Sequence, residues 1–294
     1  MKILVTGGSG FIGSKLTKYL DSKGHKVYAI ARNGVKSKNV ISTSLLDKSK
    51  LNSLFKKNHF DIIIHLAALL DDGKPSDVFN NNCQSTINLL ECCNSYHVKK
   101  IVFASTHAVY GSTKYIPIDE KHSTTPITNY SISKLIAENI NKMYSNSYGM
   151  NIINLRITSV YGPGQSSNYL IPKMINSCIK DKTIILHKYL NGYQIMDLIH
   201  VDDVCKSIEL ACKSNVKSGT YNIASGVPIT VYDISQKLSK ILGTQKIIIK
   251  KIPKETNHFY YDISAAKNDL GFIPKLQLST KTLTDVIDYV KKQR

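Results

Sequence analysis

Tyr130 and Lys134 stand four residues apart in the stretch Tyr130-Ser131-Ile132-Ser133-Lys134, ahead of an amphipathic run through Leu135, Ile136 and Ile140. Helical spacing puts the two on one face, a single turn apart. A phenol with a pKa near 10 is a poor base at neutral pH unless a cation stabilises its anion. The Lys134 ammonium can do that, so the pair can move a proton on and off an oxygen. Thr106 closes the apolar run Lys100 to Ser105 and offers a hydroxyl that can hold and polarise that oxygen. Catalytic roles are assigned to Thr106, Tyr130 and Lys134.

A second constellation opens the chain. Ile3-Leu4-Val5 reads as a buried strand, meets Gly7, Gly10 and Gly13, and passes into a run through Leu16 and Leu20 that stops at Gly24. Strand, glycine turn and helix form the context of a dinucleotide fingerprint, here spaced GxxGxxG. A pyrophosphate needs backbone N–H groups and the positive end of a helix dipole close by, and a Cβ at the turn would hold it off.

These groups need a scaffold, and the apolar pattern supplies one. Val27 to Ala31 reads as a second strand and Leu46 to Asn58 as a helix. Asp61 to Ala68 reads as a third strand ending in small residues, Ser76 to Tyr96 as one long helix, and Lys100 to Ser105 as the next strand. Strands alternating with helices predict an α/β, doubly wound parallel sheet of Rossmann type, with ligands at the carboxyl ends of the strands. The dinucleotide-binding domain is assigned to residues 1–162. Residues 163–294 form mainly a smaller α/β substrate-binding lobe, in which 199–213 packs back on the first domain. In that lobe Tyr169 to Lys180, Val201 to Cys212, Thr230 to Leu242, Ser264 to Leu270 and Leu283 to Val290 read as helices, and Ile184 to Leu186 as a strand.

Composition narrows the class. The 294 residues, 42% of them hydrophobic, suffice for a large core. The longest apolar runs, such as Ala67 to Leu70, fall far short of the roughly 18 residues of a membrane span. With no charged leader ahead of the first strand, the expected location is the cytoplasm. The net charge is +18, yet only Arg32, Arg156 and Arg294 are arginines and the lysines are scattered. Without basic blocks or interleaved aromatics, no nucleic-acid partner is expected, nor a membrane one. Six cysteines show no metal-binding spacing and read as reduced thiols, and no metal site is assigned. Arg32 follows the second strand, where a carboxylate would hold the 2′-hydroxyl of NAD. An arginine there suits a 2′-phosphate and tilts the cofactor choice to NADP(H) over NAD(H).

The chain resembles the extended short-chain dehydrogenase/reductases of the NAD-dependent epimerase/dehydratase branch, which act on nucleotide sugars. The matching segments are TGGSGFIG (6–13), DIIIHLAA (61–68), STHAVYG (105–111), YSISK (130–134), LRITSVYGPG (155–164) and IHVDD (199–203). The resemblance implies the Thr106, Tyr130, Lys134 triad. It also implies cofactor contacts at Gly7, Ser9, Gly10, Phe11, Ile12, Gly13, Arg32, Asn33, Leu45, Leu66, Ala67, Ala68, Asn82, Tyr130, Lys134 and Ile157. Substrate contacts are implied at Thr106, His107, Ser159, Tyr169 and Gln194, and a homodimer through the Ser76–Tyr96 and Tyr130 helices.

Departures shape the expected activity. The dehydratases of this branch carry Asp-Glu after the catalytic threonine, where this chain has His107 and Ala108, so dehydration is not expected. The aspartate that contacts adenine is matched by Ser44. Met196 replaces an arginine that grips the substrate diphosphate, and His258 to Tyr261 stand where a second is expected. The expected function is hydride transfer at a sugar C4, as an NADPH-dependent 4-keto-sugar-nucleotide reductase, with an NAD-dependent 4-epimerase as the alternative. A catalytically idle dinucleotide sensor of the same fold would be expected to lose the Tyr/Lys pair, which this chain keeps.

Overall fold

The computed structural model describes residues 1–31, 39–70, 73–243 and 246–293. Arg32 and Asn33, both assigned to the cofactor, lie outside the described residues. In the first half, strand β1 (Lys2–Thr6) runs through the glycine turn into helix α1 (Phe11–Ser22), followed by β2 (Lys26–Ala31), β3 (Val40–Ser42) and α2 (Lys48–Lys57). Then come β4 (Ile62–His65), α3 (Pro75–Phe79), α4 (Ser85–Ser95), β5 (Lys100–Thr106), α5 (Asn129–Tyr148) and β6 (Ile152–Ile157). The second half contains β7 (Ser159–Tyr161), α6 (Leu170–Asp181), β8 (Thr183–Lys188), β9 (Ile195–His200) and α7 (Val201–Lys213). It ends with β10 (Gly219–Ile223), β11 (Pro228–Thr230), α8 (Val231–Leu242), β12 (Lys246–Lys251), α9 (Ser264–Leu270) and α10 (Thr280–Lys292).

Seven described strands form one parallel sheet in the order β10-β6-β5-β4-β1-β2-β3. Side chains alternate across it, as the pleat requires. Ile3 and Val5 enter a core shared with Leu16 and Leu20 of α1, Val204 and Ile208 of α7, and Ala266 and Leu270 of α9. Leu4 and Ile63 enter the opposite core, under α2, α4 and α5, with Leu51, Leu90 and Tyr144. Both faces are covered, which is why the strands read as unbroken apolar runs. Helix α7 thus lies on the sheet, and β10, from beyond residue 162, is its edge strand.

The remaining elements build a smaller lobe. Three-stranded β11-β9-β7 and the parallel pair β12-β8 pack with α6, α8 and α10 around Ile175, Leu198, Leu238 and Ile287. Helix α8 starts at a capping box between Thr230 and Asp233, which satisfies two end donors reciprocally.

Two of the predicted elements differ in a way that shapes the cleft. The third strand stops at His65, and 66–68 turn away to line the cleft described below. The helix predicted over Ser76 to Tyr96 is interrupted by a π-turn, Asn80–Gln84. The Asn82 side chain there accepts from Leu69 N–H (2.7 Å) and donates to the Leu69 carbonyl (3.0 Å), holding the loop after β4 against the helix. Such π-turns recur at functional sites.

Candidate active site

One cleft of about 950 Å³ runs along the carboxyl ends of the sheet strands and on to the smaller lobe. The glycine turn forms its floor. Gly7 has φ +71°, and a Cβ there would lie 2.8 Å from Ala67 N; a Cβ on Gly13 would run into the Gly7 carbonyl. The backbone is therefore closed up around glycines, with the α1 N-terminus open to the cleft through Ser9, Gly10, Phe11 and Ile12.

The wall opposite is fixed by a buried hydrogen-bond chain. Ala67 N–H donates to Thr6 Oγ1 (3.1 Å), Thr6 bonds His65 Nδ1 (2.7 Å), and His65 Nε2 bonds Thr86 Oγ1 (3.1 Å). Thr86 donates onward to the Asn82 carbonyl (2.6 Å). Each hydroxyl has one proton, so the chain runs one way only: Thr6 donates to Nδ1 and Nε2–H donates to Thr86. Burial holds the His65 pKa down at about 3, so this neutral tautomer persists.

Helix α5 brings the two halves of the pair into the cleft. A capping box between Thr128 and Ser131 starts it one residue before Tyr130. Asn82 Nδ2 donates to Ser133 Oγ (2.9 Å) and Cys83 Sγ to the Ser133 carbonyl (3.4 Å), pinning the turn between Tyr130 and Lys134. Tyr130 is half-buried and hydrogen-bonded to Thr106. Burial pushes its phenol up to about 12, against the pull of the Thr106 bond. Lys134 is 2% exposed, its Nζ 3.9 Å from the centre of the Phe103 ring. Desolvation pulls its pKa down to about 7, opposed by the charge of Glu138.

His107, next to Thr106, sits in an aromatic cage. Its Nδ1 meets the Tyr261 hydroxyl at 2.8 Å and its ring stacks on Phe259 at 5.4 Å. Burial holds the imidazole down at about 4, so it is neutral at physiological pH. Phe259 and Tyr261 thus occupy, as packing groups, the segment where a phosphate-binding arginine was expected. Met196 lines the cleft in place of the other. Lys134 is the one Lys, Arg, Asp or Glu among the described lining residues.

The structure brings most of the assigned residues together. Gly7, Ser9, Gly10, Phe11, Ile12, Gly13, Leu45, Leu66, Ala67, Ala68 and Ile157 line the cleft with Thr106, Tyr130 and Lys134; so do His107, Ser159 and Tyr169. Two do not. The Asn82 side chain is consumed by Leu69 and Ser133, so it shapes the cleft from behind. Gln194 lies off the cleft and donates to the Asn257 carbonyl (3.2 Å).

Among the lining residues not assigned from sequence, Thr43 stands out. Thr43 is 8% exposed, and its Oγ1 is buried with no hydrogen-bond partner among the described residues. It shares the cleft with Ile30, Ala31 and Leu45, apolar side chains suited to a flat base. Ser44, matched to the family aspartate, instead accepts from Leu46 N–H (3.2 Å). A dinucleotide therefore fits the residues present. The glycine cradle admits a pyrophosphate, the apolar side chains an adenine, and the Tyr130–Lys134 face a nicotinamide ribose.

Known proteins agree with this geometry. The sequence model of the NAD dependent epimerase/dehydratase family matches residues 3–224. A putative UDP-glucose 4-epimerase of Methanocaldococcus jannaschii is 30% identical over 98% of both chains. The UDP-glucose 4-epimerase of Thermotoga maritima, solved with UDP-glucose, superposes with a TM-score of 0.89 at 27% identity, over 100% of this chain and 99% of that one. UDP-glucuronic acid 4-epimerase of Bacillus cereus, solved with UDP-glucuronic acid and NAD, gives 0.87 at 27% identity over the full length of both chains. By family model, glycine turn and sheet order alike, the chain belongs to the NAD-dependent epimerase/dehydratase family of short-chain dehydrogenase/reductase enzymes.

Proposed function

We propose that this enzyme is an NAD-dependent 4-epimerase of a nucleotide sugar. The observation that carries the reading is the convergence of Thr106, Tyr130 and Lys134 on one cleft with the glycine cradle. The 4-epimerases among its relatives support it. NAD, when bound, would supply the hydride acceptor and return the hydride. Thr106 orients the C4 oxygen through its hydroxyl, and Tyr130 takes the proton from that oxygen as the C4–H bond is lost. Lys134 stabilises the phenolate and holds the cofactor ribose. The resulting 4-keto sugar turns over in the cleft, and Tyr130 returns the proton to the oxygen after hydride reaches the other face.

Arg32 favours a second reading, an NADPH-dependent 4-keto reductase with the same proton-transfer groups. Mass spectrometry of the dinucleotide released on denaturing freshly purified protein separates the two. Stoichiometric NAD, with interconversion of a UDP-hexose and its 4-epimer, is the expected result. Empty protein that binds NADPH more tightly than NADH would replace it with the reductase.

A homodimer completes the proposal. Helix α5 exposes Ile136 and Met143 seven residues apart on one face, with Ile140 between them half-buried against the core. Such a stripe suits a second copy of the same helix. The cytoplasm remains the proposed location. All six cysteines are free and buried, and no described helix is long and apolar enough to cross a membrane.

A further inference from the structure

Strand β5 touches both members of the Tyr130–Lys134 pair. Its last residue, Thr106, is hydrogen-bonded to Tyr130, and three residues earlier Phe103 meets Lys134. The Lys134 Nζ stands over the face of the Phe103 ring, 3.9 Å from its centre. Both side chains are buried, Phe103 being 1% exposed. The ring is held in its turn. It packs against the ring of His65, its register partner on β4, with the centres 5.5 Å apart. His65 is itself fixed through Thr6 and Thr86.

We propose that Phe103 is a positioning residue for the reaction, its ring face holding the Lys134 ammonium in the cleft by a cation–π contact. This rests on the reading of Tyr130 and Lys134 as the proton-transfer pair. The face of an aromatic ring is its negative side, and it attracts a cation most where water is excluded. The other groups around Lys134 are neutral or already paired. Cys83 on the π-turn is held a neutral thiol by burial, and His65 is neutral. Burial also keeps the Tyr130 phenol protonated at rest. The Glu138 carboxylate, one turn along α5, accepts from Arg156 Nη2 (2.7 Å) and Nε (3.1 Å) and from Ser105 Oγ. That ion pair has no net charge. The ring therefore offsets part of the desolvation that pulls the Lys134 pKa down. It does so without a counter-charge. A carboxylate in its place would also hold the ammonium, but it would cancel the field that Lys134 exerts on a Tyr130 phenolate. A ring quadrupole falls off faster with distance and leaves that positive charge whole.

The test replaces Phe103 by phenylalanines bearing one, two or five ring fluorines, incorporated at that site alone. Fluorine drains the ring face of negative charge and leaves its shape nearly unchanged, so packing is kept. NMR of cofactor-free protein carrying isotope-labelled lysine side chains follows the Lys134 titration, its signal assigned by its loss in Lys134→Met. The midpoint should fall stepwise with fluorine count, by about one pH unit or more at five fluorines, a tenfold loss of ammonium at fixed pH. Phe103→Leu, which keeps an apolar side chain but no ring, should lower it too. A midpoint unmoved through the fluorine series would overturn the proposal. A midpoint that moved in Phe103→Leu alone would do the same, because packing rather than the ring face would then hold the lysine. Protein that shows the expected series but interconverts no nucleotide sugar would instead overturn the proposed function alone.

Discussion

At the scale of single residues, the cleft works by neutrality with one exception. Lys134 carries the charge, and the groups around it are kept from competing. Tyr130→Phe is expected to lower turnover by roughly 10²–10⁴-fold, the usual worth of a positioned proton donor, while NAD affinity stays within twofold in calorimetry. The histidines give a pH signature with a definite sign. His65 and His107 have folded pKa values of about 3 and about 4, depressed from 6.5 by burial. The unfolded chain takes up those protons first, so stability present above pH 6.5 is lost as pH falls toward 4. The ceiling is about 1.4 kcal/mol per pH unit for each group. Urea denaturation at pH 7 and pH 5 checks it. A midpoint unchanged between the two would mean that both rings take up protons in the folded state.

At the scale of elements, helix α5 is held from both sides: by the π-turn through Ser133 and by the strands through Glu138. Arg156→Met leaves that carboxylate buried and unpaired and should cost about 3–5 kcal/mol in denaturant titration. Thr128→Ala removes one side of the capping box and should cost about 0.5–2 kcal/mol, read as a lower melting temperature. Sequence showed α5 well because its chemistry, cap and apolar spacing coincide in one short stretch. It showed the first strand and glycine turn for the same reason. It missed β10, whose five residues Gly219–Ile223 include only two strongly apolar ones, because the edge position is set by pairing with β6 rather than by local pattern. It read the segment 76–96 as one helix because the π-turn is itself helical and no Gly or Pro marks it in the sequence. Asn82 and Gln194 were assigned to ligands by the family resemblance. Neither spacing nor composition records that Leu69, Ser133 and Asn257 had already claimed their side chains. Thr43 was invisible for the converse reason: a lone threonine carries no pattern, and only the fold sets it against the cleft.

At the scale of the whole molecule, the two halves share one cleft and one core. If α5 faces a second copy, Met143→Glu should convert a dimer to a monomer in sedimentation while the free protein keeps its helical circular dichroism. A monomeric wild type would remove that expectation. The sheet has a consequence of its own. Its β10 edge and its α7 and α9 cover are the last pieces to be synthesised, and the core under β1 needs Val204, Ile208 and Leu270 to close. Before the second half of the chain is made, the glycine turn, the π-turn and helix α5 sit on a sheet one face of which is covered by α1 alone. Such an intermediate exposes apolar surface. Until α7 and α9 close over it, the growing chain keeps the apolar side chains of β1 and α1 short of their partners, so aggregation competes with folding for as long as the second half is missing.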